Sequence, residues 1–381
     1  MSGSVSGIDA LQLPAGINAS YRLRACNASG CGDFASVVPD IAKLNSHEFS
    51  SGYAPFVLNS PSSQSTLSKD GLTLAMNHWS VADGSTTYLF GRASKSQPWQ
   101  QQARLSYGTS TLSADGTTLA VVDQESTSSP PRTTKTVVYI YHRSDSTWSQ
   151  QYLDTPSVPS ACPQPCEVYG ASRGPMLSAD GNLLAVPLNF FSRRPALDGG
   201  DTSIGAVATY VRNGAAWSPQ ALLETGGKRV EALALSGDGK TLVVNQGGRN
   251  LHYPDPQAPH AVVFTQQGNG TWSQQARIPV DLSFVVDISG ISYSSMKLSD
   301  DGNTLAVSAW TWGSPAGIEF SCGPKKDAMY IALFARNGTA WQPQAAISRG
   351  RDYPWALARD GNALFYDGEL FTRSNGTWAC P

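Results

Sequence analysis

LSKDGLTLA (Leu67–Ala75), LSADGTTLA (Leu112–Ala120), LSADGNLLA (Leu177–Ala185), LSGDGKTLV (Leu235–Val243), LSDDGNTLA (Leu298–Ala306) and LARDGNALF (Leu357–Phe365) are one nine-residue phrase met six times. Successive copies begin 45, 65, 58, 63 and 59 residues apart, a period that marks one supersecondary unit used repeatedly. Each copy reads as strand, tight turn, strand. Asp-Gly supplies the positive φ that a hairpin loop needs, and the flanking Leu, Val and Ala are strand residues.

A second phrase follows each first one: PWQQQARL (Pro98–Leu105), TWSQQYL (Thr147–Leu153), AWSPQALL (Ala216–Leu223), TWSQQARI (Thr271–Ile278), AWQPQAAI (Ala340–Ile347) and a truncated TWACP (Thr377–Pro381). Runs rich in β-branched and aromatic residues precede the Trp, such as KTVVYIYHR (Lys135–Arg143). Hairpin signals lie between at Asn213-Gly214, Asn269-Gly270, Asn337-Gly338 and Asn375-Gly376. Each repeat therefore holds four short antiparallel strands, A to D from the first to the Trp strand. Four-stranded units repeated radially are the blades of a β-propeller. The expected fold is all-β, a six-bladed propeller over residues 61–381, with a short hairpin segment in 1–40 and a linker in 41–60.

Composition excludes several classes. A net charge of −2 and a pI near 6.2 argue against a nucleic-acid-binding role, which normally shows a basic excess. No apolar run approaches the roughly 18 residues of a membrane span. No nucleophile elbow, zincin motif or phosphate loop occurs, so no catalytic residue, cofactor or metal is implied. The Asp-Gly pairs and the strand-D Trp read as turn formers and inter-blade packing. The sequons at Asn18, Asn27, Asn269, Asn337 and Asn375 read mainly as turns.

Six Cys fall into two close pairs, Cys26/Cys31 and Cys162/Cys166, and a distant one, Cys322/Cys380. Six cysteines allow fifteen connectivities, and locality favours this one. Disulfides imply an oxidising compartment, so the protein is expected to be secreted, cell-surface or periplasmic. The first residues carry no signal peptide, and the chain reads as part of a longer multidomain protein with a monomeric propeller.

YRLRACNASGCG (Tyr21–Gly32) resembles the last two strands of a fibronectin type III module, which makes residues 1–40 the remnant of one. The order Leu-Ser-x-Asp-Gly-x-Thr-Leu-Ala-Val, Val-Tyr-Val-Tyr-like run, Trp-x-Gln-Gln is similar to bacterial FG-GAP proteins related to the integrin α-chain propeller. That resemblance implies an adhesive, non-enzymatic function. It does not bring calcium with it, because no copy has the carboxylate density of the D-x-D-x-D-G-x-x-D loop. The Ser-x-Asp-Gly phrase also resembles the repeat of TolB-type periplasmic propellers and the Asp-box of sialidases.

In an up-and-down blade the A–B and C–D turns share one face, and the longer B–C and D–A loops share the other. The long-loop face is where binding residues are expected. Its aromatic, Arg and His side chains give the candidate ligand contacts: Trp79, Phe190, Arg193, Arg194, His252, Tyr253, Trp310 and Trp312. The expected function is an extracellular or periplasmic binding or adhesion module for a protein or glycan, not an enzyme. The alternatives are a sialidase-like hydrolase on the same face and a TolB-type interaction propeller.

Overall fold

The computed structural model describes residues 65–80, 84–105, 108–126, 134–144, 147–153, 166–170, 174–192, 203–225, 229–247, 260–279, 292–310, 329–348 and 355–380, and short strands within 21–37. Among these there is no helix. The chain divides into two compact units, Met1–Ser106 and Tyr107–Pro381. The expected boundaries near residues 40 and 60 lie outside the described residues.

The first unit begins with β1 (Tyr21–Leu23), β2 (Cys26–Asn27), β3 (Gly30–Cys31) and β4 (Ala35–Val37). β1 pairs with β4 and β2 with β3, which sets Cys26 opposite Cys31 in a hairpin. The unit also holds blade 1: β5 (Ser65–Leu67), β6 (Thr73–Ser80), β7 (Gly84–Gly91) and β8 (Gln100–Leu105).

The second unit holds five blades. Blade 2 is β9 (Thr109–Leu112), β10 (Thr118–Ser126), β11 (Thr134–Ser144) and β12 (Thr147–Leu153). Blade 3 has its first strand in two pieces, β13 (Cys166–Gly170) and β14 (Met176–Leu177), then β15 (Leu183–Ser192), β16 (Ser203–Asn213) and β17 (Ala216–Glu224). Blade 4 is β18 (Arg229–Leu235), β19 (Thr241–Gly247), β20 (His260–Gln266) and β21 (Trp272–Pro279). Blade 5 is β22 (Ser292–Leu298), β23 (Thr304–Trp310), β24 (Met329–Asn337) and β25 (Ala340–Ser348). Blade 6 is β26 (Trp355–Leu357), β27 (Ala363–Tyr366), β28 (Glu369–Ser374) and β29 (Thr377–Ala379), all from its own stretch of chain. Six four-stranded antiparallel sheets make the fold a six-bladed β-propeller.

The middle strands are apolar on both faces because each face meets a different neighbour. In blade 3, Leu184, Val186 and Leu188 pack with Ala120, Val122 and Ile140 of blade 2, while Ala185, Val207 and Leu223 pack with Leu242, Val244 and Val262 of blade 4. Blade 4 turns Val243 and Val263 to Leu305 and Val307 of blade 5, whose Ala306, Ile331 and Leu333 in turn meet Leu364 and Phe371 of blade 6. Burying each Val or Leu is worth roughly 1.5–3 kcal/mol, which makes these layers the bulk of the stabilisation. The strand-D Trp joins the layer toward the preceding blade: Trp217 with blade 2, Trp272 with blade 3, Trp341 with blade 4 and Trp378 with blade 5.

The repeated phrase is explained by its turn. Ser178 Oγ donates to Asp180 Oδ1 (2.6 Å) and accepts from the Leu183 amide (2.9 Å), and Gly181 N–H closes the turn on Ser178 O (3.0 Å). The same set recurs at Ser68/Asp70, Ser113/Asp115, Ser236/Asp238 and Ser299/Asp301. Neighbouring turns are also stitched together. Ala114 N–H donates to Ala179 O (3.1 Å), Ala179 to Gly237 O (2.8 Å), Asp238 to Asp300 O (2.9 Å) and Asp300 to Arg359 O (2.7 Å). The glycine must approach the preceding turn closely. A Cβ on Gly302, at φ +69°, would lie 2.7 Å from Thr241 Oγ1.

Trp-x-Gln-Gln also has a physical meaning. In blades 1, 3, 4 and 5 the last Gln of the phrase is skipped in the ladder, at Gln102, Gln220, Gln275 and Gln344, so it forms a bulge in the outer strand. Gln220 then reaches blade 4, where its Oε1 accepts from Trp272 Nε1 (3.0 Å) and its Nε2 donates to Gly270 O (3.1 Å). In blade 1 the Gln102 amide lies over Gly91, where any Cβ would collide with it. The end of strand C adds a second latch: Arg212 Nη2 donates to His142 Nε2 (3.0 Å), Arg336 Nη1 to Thr241 Oγ1 (3.2 Å) and Arg373 Nη1 to Thr304 Oγ1 (3.2 Å), each on the preceding blade.

Candidate functional site

The A–B turns repeat almost without change, so chemistry has to come from positions where the blades differ. One such set lies toward the far end of strands A and B. In blades 3, 4 and 5 the first strand carries a one-residue bulge, at Tyr169, Glu231 and Ser294. Facing each bulge is a buried polar residue of the second strand: Asn189, Asn245 and Ser308. Bulges are over-represented beside active sites because they re-aim side chains and interrupt pairing. Asn189 Oδ1 accepts from the Val230 amide of blade 4 (2.9 Å), and Ser308 Oγ donates to Ser295 O (3.1 Å). Asn245 is fully buried, yet neither its amide oxygen nor its nitrogen has a partner among the described residues. In blade 1, Asn77 occupies the strand position of Asn245 and Ser308, with its Oδ1 accepting from Thr87 Oγ1 (2.9 Å).

The second difference is sharper. The residue before the Leu of each phrase pairs with the third strand-B residue, and across the six blades it reads Thr66, Thr111, Met176, Ala234, Lys297 and Ala356. Five are neutral and one is a cation. Lys297 lies on β22, on the face that also presents Ala306 toward blade 6. Solvent reaches its side chain. Desolvation by the surrounding strands lowers its pKa from the ordinary lysine value of 10.5. No acidic side chain among the described residues pairs with it.

Of the contacts expected from sequence, Phe190 is corrected. It lies within β15 rather than in a loop, fully buried in the layer between blades 2 and 3, and packs instead of meeting a ligand. Trp79 and Trp310 sit near the ends of β6 and β23, so they too belong to strands. Arg193, Arg194, His252, Tyr253 and Trp312 lie outside the described residues, as do Cys162 and Cys322. Cys380 is disulfide-bonded. Lys297 and the Asn189, Asn245, Ser308 set were missed. Aligning the phrases by their Leu-Ser and asking which blade departs would have found the lysine.

No family model matches the chain, and no curated protein matches it. Solved structures do. A candidate 6-phosphogluconolactonase from Bacteroides uniformis is 14% identical, with 82% of this chain and 81% of that one covered at a TM-score of 0.51. The periplasmic gluconolactonase of Pseudomonas aeruginosa is 18% identical over 81% of this chain and 80% of its own, at 0.49. The first of these likenesses establishes the fold. It also corrects the expectation of a non-enzymatic binding or adhesion module, because that expectation rested on the propeller being of an adhesive kind. A propeller that shares this fold carries the name of a lactonase. Among the described residues no helix is long and apolar enough to cross a membrane.

Proposed function

We propose that the chain is a hydrolase that opens a sugar lactone, with Lys297 as the group that activates water. The observation that carries this reading is the single solvent-reachable lysine on the first strand of a blade, at a position that is neutral in the other five. The name of the Bacteroides neighbour supplies the substrate class. A lactone is a cyclic ester, and its opening needs a base to take a proton from the attacking water. Desolvation disfavours the charged ammonium, so the free amine is available at lower pH than on an ordinary lysine. The rate is therefore expected to rise with pH through the Lys297 titration, in a window below 10.5. The disulfide at Cys380 supports export to an oxidising compartment, the periplasm or the cell exterior.

The test is hydrolysis of glucono-δ-lactone, followed by acid release in a pH-stat after subtracting the spontaneous rate. Lys297→Met is expected to lower kcat/KM by roughly 10²–10⁴, the usual contribution of a positioned base, and to remove the alkaline rise. A wild-type protein that gives no rate above the spontaneous one, or a Lys297→Met variant that keeps the full rate, would overturn the reading.

A further inference from the structure

We propose that Lys297 also holds the hydroxy-carboxylate produced by ring opening, so that the propeller binds its own product as an ion pair at the position of water attack. The inference rests on the hydrolase reading and follows from the proton balance of the step. A water O–H bond breaks, its oxygen bonds to the lactone carbonyl carbon, and the proton goes to Lys297 Nζ. The ring C–O bond then breaks, and the ring oxygen takes the proton of the new carboxylic acid. A neutral amine and a lactone have become an ammonium and a carboxylate, formed side by side.

Among the described residues the surroundings offer that ammonium no carboxylate partner. β22 packs against β23, β18, β19 and β26. β23, β19 and β26 contain no ionisable side chain. β18 carries Arg229 and Glu231 near its start, whose side chains lie outside the described residues. β22 itself adds Tyr293, also outside. The next carboxylates along the chain, in the turn after β22, are engaged: Asp301 accepts from Ser299 Oγ (2.5 Å), and Asp300 faces Arg359 (3.5 Å). At the matching register of the adjoining blades stand two small residues, Ala234 and Ala356. An exposed cation with no anion among the described residues is placed to form a charge-assisted hydrogen bond with a carboxylate of the ligand.

The test is titration calorimetry of the full chain with D-gluconate and with D-glucitol, which shares its polyol skeleton but lacks the carboxylate. Gluconate is expected to bind the wild type and Lys297→Arg, at least tenfold more weakly to Lys297→Met, and glucitol at least tenfold more weakly to all three. Raising the pH through the Lys297 titration should weaken gluconate binding to the wild type, because only the ammonium attracts it, and leave Lys297→Arg unchanged. Equal affinity for gluconate in wild type and Lys297→Met, equal affinity for glucitol and gluconate, or no gluconate binding would each overturn the proposal. The readout is binding, so it is independent of turnover: a protein that binds gluconate at Lys297 but hydrolyses no lactone would sink the hydrolase reading and leave the anion site standing.

Discussion

The two ends of strands A and B follow opposite rules. At the A–B turn end, blades 2 to 5 do the same thing with the same atoms: Asp and Ser knit the turn, glycine lets it touch its neighbour, and backbone amides pass from one turn to the next; blade 6 keeps the Asp and glycine, with Ala358 in place of the serine. Further along the same strands the blades disagree. Asn189 bonds the next blade, Asn245 bonds nothing among the described residues, and Ser308 bonds its own blade. Lys297 lies close to the repeated turn, two residues before Ser299, yet it too stands alone in its register. Repetition marks what the scaffold needs in every blade, and departure from it marks where one blade is asked for something different. Stability should be most sensitive at the repeated turns, and activity where one blade departs from the other five.

The largest stability effect should come from a repeated turn glycine. Gly302→Ala forces a side chain onto φ +69° and drives its Cβ to 2.7 Å from Thr241 Oγ1. The conformational part costs roughly 1–2 kcal/mol and the overpacking about 1–3 more. Gly338→Ala is the control, since its φ of +63° is similar but nothing lies within 4 Å. It should lose only the conformational part. Denaturant melts of both variants measure the difference directly. Equal losses would mean that the contact between turns does not matter.

A smaller effect separates two blade interfaces that look alike in sequence. Gln220 is bonded to Trp272 and Gly270 of the next blade. Gln275 holds the same place one blade later, yet its Oε1 and the Trp341 Nε1 beyond it are both buried without a partner among the described residues. Gln220→Leu should destabilise by about 1–3 kcal/mol, because it strands the Trp272 N–H. Gln275→Leu should be close to neutral, because it removes an acceptor that is already unpaired. If both variants lose the same amount, the two interfaces are equivalent in solution.

The blades were legible because turn chemistry and strand composition repeat, and the hairpin glycines carry the positive φ that the Asn-Gly pairs announced. The strand lengths were less so. The sequence reads as a loop from Pro187, since proline inside a sheet removes a ladder donor, yet β15 runs through it to Ser192. That overrun puts Phe190 in the core. The outer-strand bulges are invisible to a period-two pattern, which counts the extra Gln as one more alternating residue. The site was hidden for a different reason. Sequence pattern points to exposed aromatics and arginines in long loops, whereas the lysine sits in a strand and declares itself only against its five counterparts.

The smallest expected effect tests the sign of the contrast. Burial opposes ionisation of Asp180, but hydrogen bonds from Ser178 and Asn182 outweigh it and lower its pKa. Its contribution to stability is present above its unfolded pKa and lost as pH falls through the folded one. Lys297 works the other way. Its folded pKa is lowered, so below that value the fold carries a desolvated ammonium that the unfolded chain hydrates freely. Between the folded value and 10.5 the unfolded chain binds more protons, and stability rises with pH there. Lys297→Met should therefore raise Tm at neutral pH, by an amount that shrinks as pH climbs toward 10. Asp180→Asn should lower Tm at neutral pH, by an amount that shrinks below pH ~4. Thermal melts of the two variants across pH give slopes of opposite sense. A Lys297→Met variant less stable than the wild type at neutral pH would make the lysine part of the scaffold, and its departure from the other five blades would then be no different in kind from the repeated turns.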